Sequence, residues 1–193
     1  MPFRLTFITA VCLVSTAIHA CTQQADKEKL GRALEYFQAE KYHESMLILS
    51  HLDSLYTLNP RIRAFLGVCY YYEGMYDKAE HYLEENIPKL SSFSPQELSV
   101  YNWLCGESLF KCEQWQKAIA FYERTALLST GKEKADALYR IGICYINTAN
   151  WENAMDSMEQ ALLYYIRYSS ATDGARITQI KNMINGISNR IKR

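Results

Sequence analysis

The sequence predicts an all-α fold, a solenoid of about four helical hairpins followed by a C-terminal capping helix. Three observations predict it. A pattern of small residue, large apolar residue three later, aromatic six after that and small residue three further on occurs four times. The copies are Ala33–Tyr36–Tyr42–Ser45, Gly67–Tyr70–Tyr76–Ala79, Gly106–Leu109–Trp115–Ala118 and Gly142–Tyr145–Trp151–Ala154. They step by 34, 39 and 36 residues, a period that means stacked helical hairpins. Helix-start signals fall where the second, third and fourth hairpins should begin.

Within a copy, residues three apart share a helix face, so the first small residue lets a second helix approach closely. The aromatic opens that second helix, and the last small residue is its own close-contact point. The spacing predicts helices at 26–39 and 42–57, 60–73 and 76–88, 95–112 and 115–128, and 132–147 and 151–168. Asn59-Pro60 supplies a cap and a first-turn proline. Ser94-Pro95-Gln96-Glu97 and Thr130-Gly131-Lys132-Glu133 both read as capping boxes. Gly74 sits where the second hairpin turns, and the five extra residues of the 39-residue step fall in the loop-like Ser91-Ser92-Phe93-Ser94.

Residues 1–20 read as an export signal, with Arg4 as their one Lys or Arg and an apolar run from Leu5 to Ile18 too short to span a membrane comfortably. The ending Ile18-His19-Ala20-Cys21 resembles the box of bacterial lipoproteins. That resemblance implies diacylglycerol on the Cys21 thiol and attachment to a membrane of the cell envelope, with 21–25 as a tether. Cleavage after Ala20 without lipid would instead give a soluble exported protein, and no cleavage would leave the segment as an anchor.

The repeats resemble the tetratricopeptide repeat, W-x2-L-G-x2-Y followed by Ala and an aromatic. The second copy matches with Leu66-Gly67-x2-Tyr70, Gly74, Ala79 and Leu83. The fourth has Ile141-Gly142-x2-Tyr145, Ala154, Met158 and Ala161, and the third keeps Gly106, Ala118 and Tyr122. The first departs most, with Arg32 and Ser45 at family positions for Leu and Ala. The resemblance implies a right-handed superhelix over 26–168, with the first helix of each hairpin lining a concave face. Carried onto this chain, that face is Leu30, Leu34 and Phe37, then Ala64, Val68, Tyr71 and Tyr72. It continues with Trp103, Glu107, Phe110 and Lys111, then Tyr139, Ile143 and Ile146. Glu107 and Lys111, four apart, are expected to form its internal charge pair. Members that clamp a chaperone tail use Lys and Asn where this chain has Leu30, Leu34, Ala64 and Val68, which argues against that ligand.

Lys plus Arg equals Asp plus Glu, at 21 each, so nothing points to nucleic acid. No G-x-S-x-G, H-E-x-x-H or phosphate-cradling loop occurs, so no catalytic residue, metal site or cofactor is assigned. Cys105 and Cys112 lie two helical turns apart, about 10 Å along the axis and too far to bridge. A Cys112–Cys144 bridge between adjacent repeats stays open in an oxidising envelope. Residues 170–193 place Ile177, Ile180, Met183, Ile184, Ile187 and Ile191 at helical spacing opposite Arg176, Lys181, Arg190, Lys192 and Arg193, with Asp173 as the only opposing charge. This reads as a cap over the last repeat, or else as a basic helix for a membrane surface or partner. The expected function is a non-enzymatic envelope scaffold that holds a protein or peptide partner on the aromatic face. The alternatives are a component of outer-membrane assembly and a carbohydrate or peptidoglycan binder. A sugar site should set carboxylates or amides beside the aromatics, and Glu107 and Asn147 are the candidates.

Overall fold

The structure, a computed structural model, describes residues 24–168 and 173–192. The expected export signal, Cys21 and most of the expected tether lie outside the described residues. Among the described residues there are helices and turns and no strand. The chain divides after Leu58 into two compact units.

The first unit is one hairpin, α1 (24–38) and α2 (Tyr42–Leu55). Ala33 is fully buried, and the Ser45 hydroxyl donates to its carbonyl at 2.9 Å, so the small pair marks the helix crossing. The open end of the hairpin is tied by the Tyr56 hydroxyl, which donates to Asp26 Oδ2 at 2.6 Å.

The second unit contains α3 (Pro60–Tyr72), α4 (Tyr76–Asn86), α5 (Pro95–Lys111), α6 (Trp115–Leu128), α7 (Gly131–Asn147), α8 (Trp151–Tyr168) and α9 (Gly174–Ile191). All helices predicted within the repeats end within two residues of their expected bounds. Each hairpin is held by a glycine that a side chain from its second helix covers. A Cβ on Gly67 would lie 2.9 Å from Leu83, one on Gly106 2.8 Å from Tyr122, and one on Gly142 2.8 Å from Met158. Only glycine permits that approach. The covering residue stands four places after the second small residue in every case, one helical turn further along the same face.

The turns inside the hairpins are copies of one another. Glu40, Gly74, Glu113 and Ala149 all adopt left-handed φ, at 58°, 73°, 58° and 55°. The next amide in each turn donates to the carbonyl five residues back, Lys41 to Tyr36, Met75 to Tyr70, Gln114 to Leu109 and Asn150 to Tyr145, all at 2.9 Å. These are Schellman closures. They recur at the same steps as the sequence pattern.

The extra residues of the long step form a 3-10 turn, Ile87–Leu90, and a loop carrying Phe93. Arg61 pins this insertion. Its guanidinium lies 5.5 Å from the Phe65 ring and 4.9 Å from the Phe93 ring, and it donates twice to Glu97, at 2.8 and 3.0 Å. Ser94 caps α5 by accepting from the Glu97 amide, and Asn59 caps α3 by accepting from the Ile62 amide. The second expected capping box does not form. Thr130 makes no side-chain cap, because Gly131 enters α7 at φ 60°, outside right-handed helical geometry.

The C-terminal stripe folds as α9 and packs against α8, burying Ile180 and Ile187. Arg176 of α9 stacks on Tyr139 at 4.4 Å, and Lys132 of α7 pairs with buried Asp173 at 2.6 Å.

Candidate functional site

The first helices of the second unit are α3, α5 and α7. The face they share is built from the residues one helical turn apart on each. Tyr71 and Tyr72 close the end of α3, with ring centroids 5.3 Å apart. Trp103 on α5 leans against Tyr122 of α6 at 5.4 Å. Phe110 packs edge-on against Trp115 at 4.8 Å and carries the Arg140 guanidinium over its ring at 4.7 Å. Tyr72 remains 54% exposed and Val100 53% exposed.

A pocket of about 420 Å³ opens on this face. Tyr71, Tyr72, Val100 and Trp103 form its apolar walls, while Glu133 and Asp136 enter from α7. Ser99 also borders it, and its hydroxyl is hydrogen-bonded to that of Ser129 at 2.6 Å.

Beside the pocket lies a buried polar cluster centred on Glu107, which is only 4% exposed. Its carboxylate takes Arg140 Nε at 2.7 Å on one oxygen and Arg140 Nη2 at 2.8 Å on the other, and the Tyr122 hydroxyl donates to it at 2.6 Å. Two charge-assisted bonds and a hydroxyl satisfy a carboxylate that burial would otherwise penalise heavily. Burial, and then the negative charge of Glu107, push the Tyr71 phenol up to about 12. The expected pairing of Glu107 with Lys111 is therefore corrected. The partner comes from the next repeat, because the side chain of Glu107 points across to α7, and Lys111 is left exposed.

The remaining expected residues fall in different places. Ala64, Val68 and Tyr139 are buried; Val68 is in the packed layer beneath the face, and Arg176 covers the Tyr139 ring. Ile143 and Ile146 are half-buried. Leu30, Leu34 and Phe37 are half-buried in the first unit, with Phe37 edge-on to Tyr42 at 5.8 Å. Glu107 is buried under Arg140 and so is not offered to a sugar as expected, while Asn147 is exposed, with one amide N–H donated to the Ile143 carbonyl at 2.9 Å. The sequence reading missed Val100, Glu133, Asp136, Tyr122 and Arg140 at this site. Val100 and Asp136 stand one turn before Trp103 and Tyr139, so extending the same helical face would have found them.

No three His, Cys, Asp or Glu side chains are placed to hold a metal among the described residues. Cys69, Cys105, Cys112 and Cys144 are free thiols. Cys112 turns away from the bridge considered above and donates to Asp77 at 3.3 Å. No described helix is long and apolar enough to cross a membrane.

The profile of the tetratricopeptide repeat matches residues 136–165, which hold most of α7 and α8. No curated protein matches the chain in sequence. Among solved structures, a point mutant of MamA is 14% identical, with 87% of this chain and 84% of that one covered at a TM-score of 0.65. The apo form of RapI is 12% identical, with 87% of this chain and 64% of that one covered, at 0.63. The C-terminal part of a TPR repeat-containing protein from Cytophaga hutchinsonii is 24% identical, with 68% of this chain and 50% of that one covered, at 0.56. At these identities the likeness is one of fold.

Proposed function

We propose that this chain, which carries a tetratricopeptide-repeat match over residues 136–165 and the helical-hairpin fold of such proteins, is a non-enzymatic scaffold of the bacterial cell envelope holding a protein or peptide partner on the α3–α5–α7 face. The observation that carries the reading is the open pocket itself. Large apolar side chains on two successive first helices, α3 and α5, stay partly in water around it, and surface of that kind usually marks an interaction site. Repeat proteins of this fold are generally binding modules, which supports the same class. The envelope location rests on the Leu5–Ile18 apolar run and its Ile18-x-Ala20-Cys21 ending. The anchor is lipid on Cys21, and wild-type protein should take up labelled fatty acid where Cys21→Ser does not. Uptake by neither would leave soluble export.

Paired Trp103→Ala and Tyr72→Ala changes should weaken capture of the native partner from detergent-solubilised envelopes at least about tenfold, or roughly 1.4 kcal/mol. Circular dichroism should stay helical, since Tyr72 is mainly exposed and Trp103 lies at the surface of its helix pair. Unchanged capture would sink the assignment of this face.

One observation favours a second reading, a carbohydrate or peptidoglycan ligand. Glu133 and Asp136 stand beside Trp103 and Tyr72, the mixture of carboxylate and aromatic surface that sugars use.

A further inference from the structure

We propose that the pocket between α3, α5 and α7 selects a partner segment that places a lysine or arginine side chain next to a bulky apolar residue. The inference rests on the scaffold reading above and names the chemistry its partner must carry. The charge of the pocket carries the argument. Two carboxylates border it and no cationic side chain does. Lys132 and Arg176 share a neighbouring pocket with Asp136 and offset part of its charge, which leaves Glu133 as the open carboxylate, since the cations of α7 are engaged with other groups. Lys132 pairs with Asp173 at 2.6 Å, Lys134 lies 5.2 Å over the Tyr164 ring, and Arg140 is bound to Glu107. Asp136 accepts from the Tyr165 hydroxyl through one oxygen. Glu133 makes no side-chain hydrogen bond or ion pair among the described residues, since the capping box it would have closed is not formed.

The walls suit the same ligand. A guanidinium or ammonium is attracted to the faces of Trp103 and Tyr72 and forms charge-assisted bonds to a carboxylate, so both kinds of wall favour one group. The alkyl stem of such a side chain covers apolar surface, here Val100 and Tyr71, while its head reaches Glu133. A neutral segment would desolvate the carboxylates without replacing their lost water. An acidic one would meet like charge. The volume, about 420 Å³, falls inside the range of roughly 300–1,000 Å³ usual for ligand pockets.

The test uses the full chain and three sets of short synthetic peptides with a common leucine-tryptophan core, flanked by arginine, by its neutral isostere citrulline, or by glutamate. The arginine set should bind, the citrulline set should bind about tenfold more weakly, and the glutamate set should not be retained. Glu133→Lys should invert the order of the arginine and glutamate sets. Glu133→Gln should bring arginine and citrulline within about twofold. Glu133 is exposed and unpaired, so both variants should melt as the wild type does. Equal binding of arginine and citrulline peptides, or an order unchanged by Glu133→Lys, overturns this inference alone. If Trp103→Ala leaves every set bound as before, or none is retained while soluble muropeptides are, the scaffold reading of this face falls with it.

Discussion

The third hairpin and its neighbours share one backbone and differ in what stands against the glycine. Leu83 covers Gly67 in the second hairpin and Met158 covers Gly142 in the fourth. Both are aliphatic and end in the core. In the third hairpin Tyr122 covers Gly106, and its hydroxyl continues to Glu107, which holds Arg140 of the following repeat. A position that closes a hairpin elsewhere therefore also links two repeats here. The difference teaches that the repeat pattern specifies size and register at this position. What the residue does beyond filling space is decided by its polar end.

The comparison predicts its own largest break. Gly106→Val drives a methyl-bearing carbon into the Tyr122 ring, a flat rigid group fixed at its far end by Glu107. It should cost about 3 kcal/mol or more in urea unfolding, the upper part of the overpacking range. Gly142→Val meets the Cε, Cγ and Sδ of Met158, an unbranched chain that yields more readily than a ring, so a smaller cost of about 1–2 kcal/mol is expected. Equal losses in the two variants would show that the Tyr122 link adds no rigidity.

A smaller effect sharpens the same point. Tyr122→Leu copies the second hairpin into the third and should cost about 2 kcal/mol, because Glu107 loses a donor while staying buried. Adding Glu107→Val, the residue type that Val68 supplies at the matching place, should recover part of that loss. Arg140 is left without its carboxylate, but it is 29% exposed and can turn to water. A double variant no more stable than Tyr122→Leu, measured by urea unfolding as a double-mutant cycle, would mean that the cost lies in packing and not in the orphaned carboxylate.

How much of this was legible follows from where each signal sits. The hairpins were readable because their signals are local: a glycine, an aromatic and a small residue within thirteen positions dictate one helix crossing. The face was legible in part. Tyr71, Tyr72, Trp103 and Phe110 could be placed through the resemblance to the repeat family, whose first helices line the face. The partner of Glu107 could not, because Arg140 lies a full repeat away and only stacked helices bring the two together. Lys111 looked the better partner by spacing, yet a residue four places on shares the helix face with Glu107 and does not reach the neighbouring helix toward which Glu107 points. Glu133 was hidden for another reason. Its sequence context, Thr130 three residues earlier, assigned it to a cap, and the positive φ of Gly131 removed it from that role. The N-terminal residues on which the envelope proposal rests lie outside the described residues.

The smallest effects concern the turns, where the four hairpins are alike in geometry and unlike in sequence. The same left-handed position is Glu40, Gly74, Glu113 or Ala149. A side chain there is strained in any L-residue, and glycine is free of that strain. Ala149→Gly and Glu113→Gly should therefore each stabilise the second unit by up to about 1 kcal/mol, while Gly74→Ala should destabilise it by a similar amount. No atom outside the turn lies within 4 Å of a Cβ added at Gly74, so the cost there is conformational and not a clash. That makes the three substitutions a matched set, with opposite signs expected from one cause. Shifts in thermal midpoint of the full chain, upward for the first two and downward for the third, check it. A stabilising Gly74→Ala would mean that the entropy glycine adds to the unfolded chain outweighs the left-handed strain, and the glycine of the second hairpin would then be no aid to its turn.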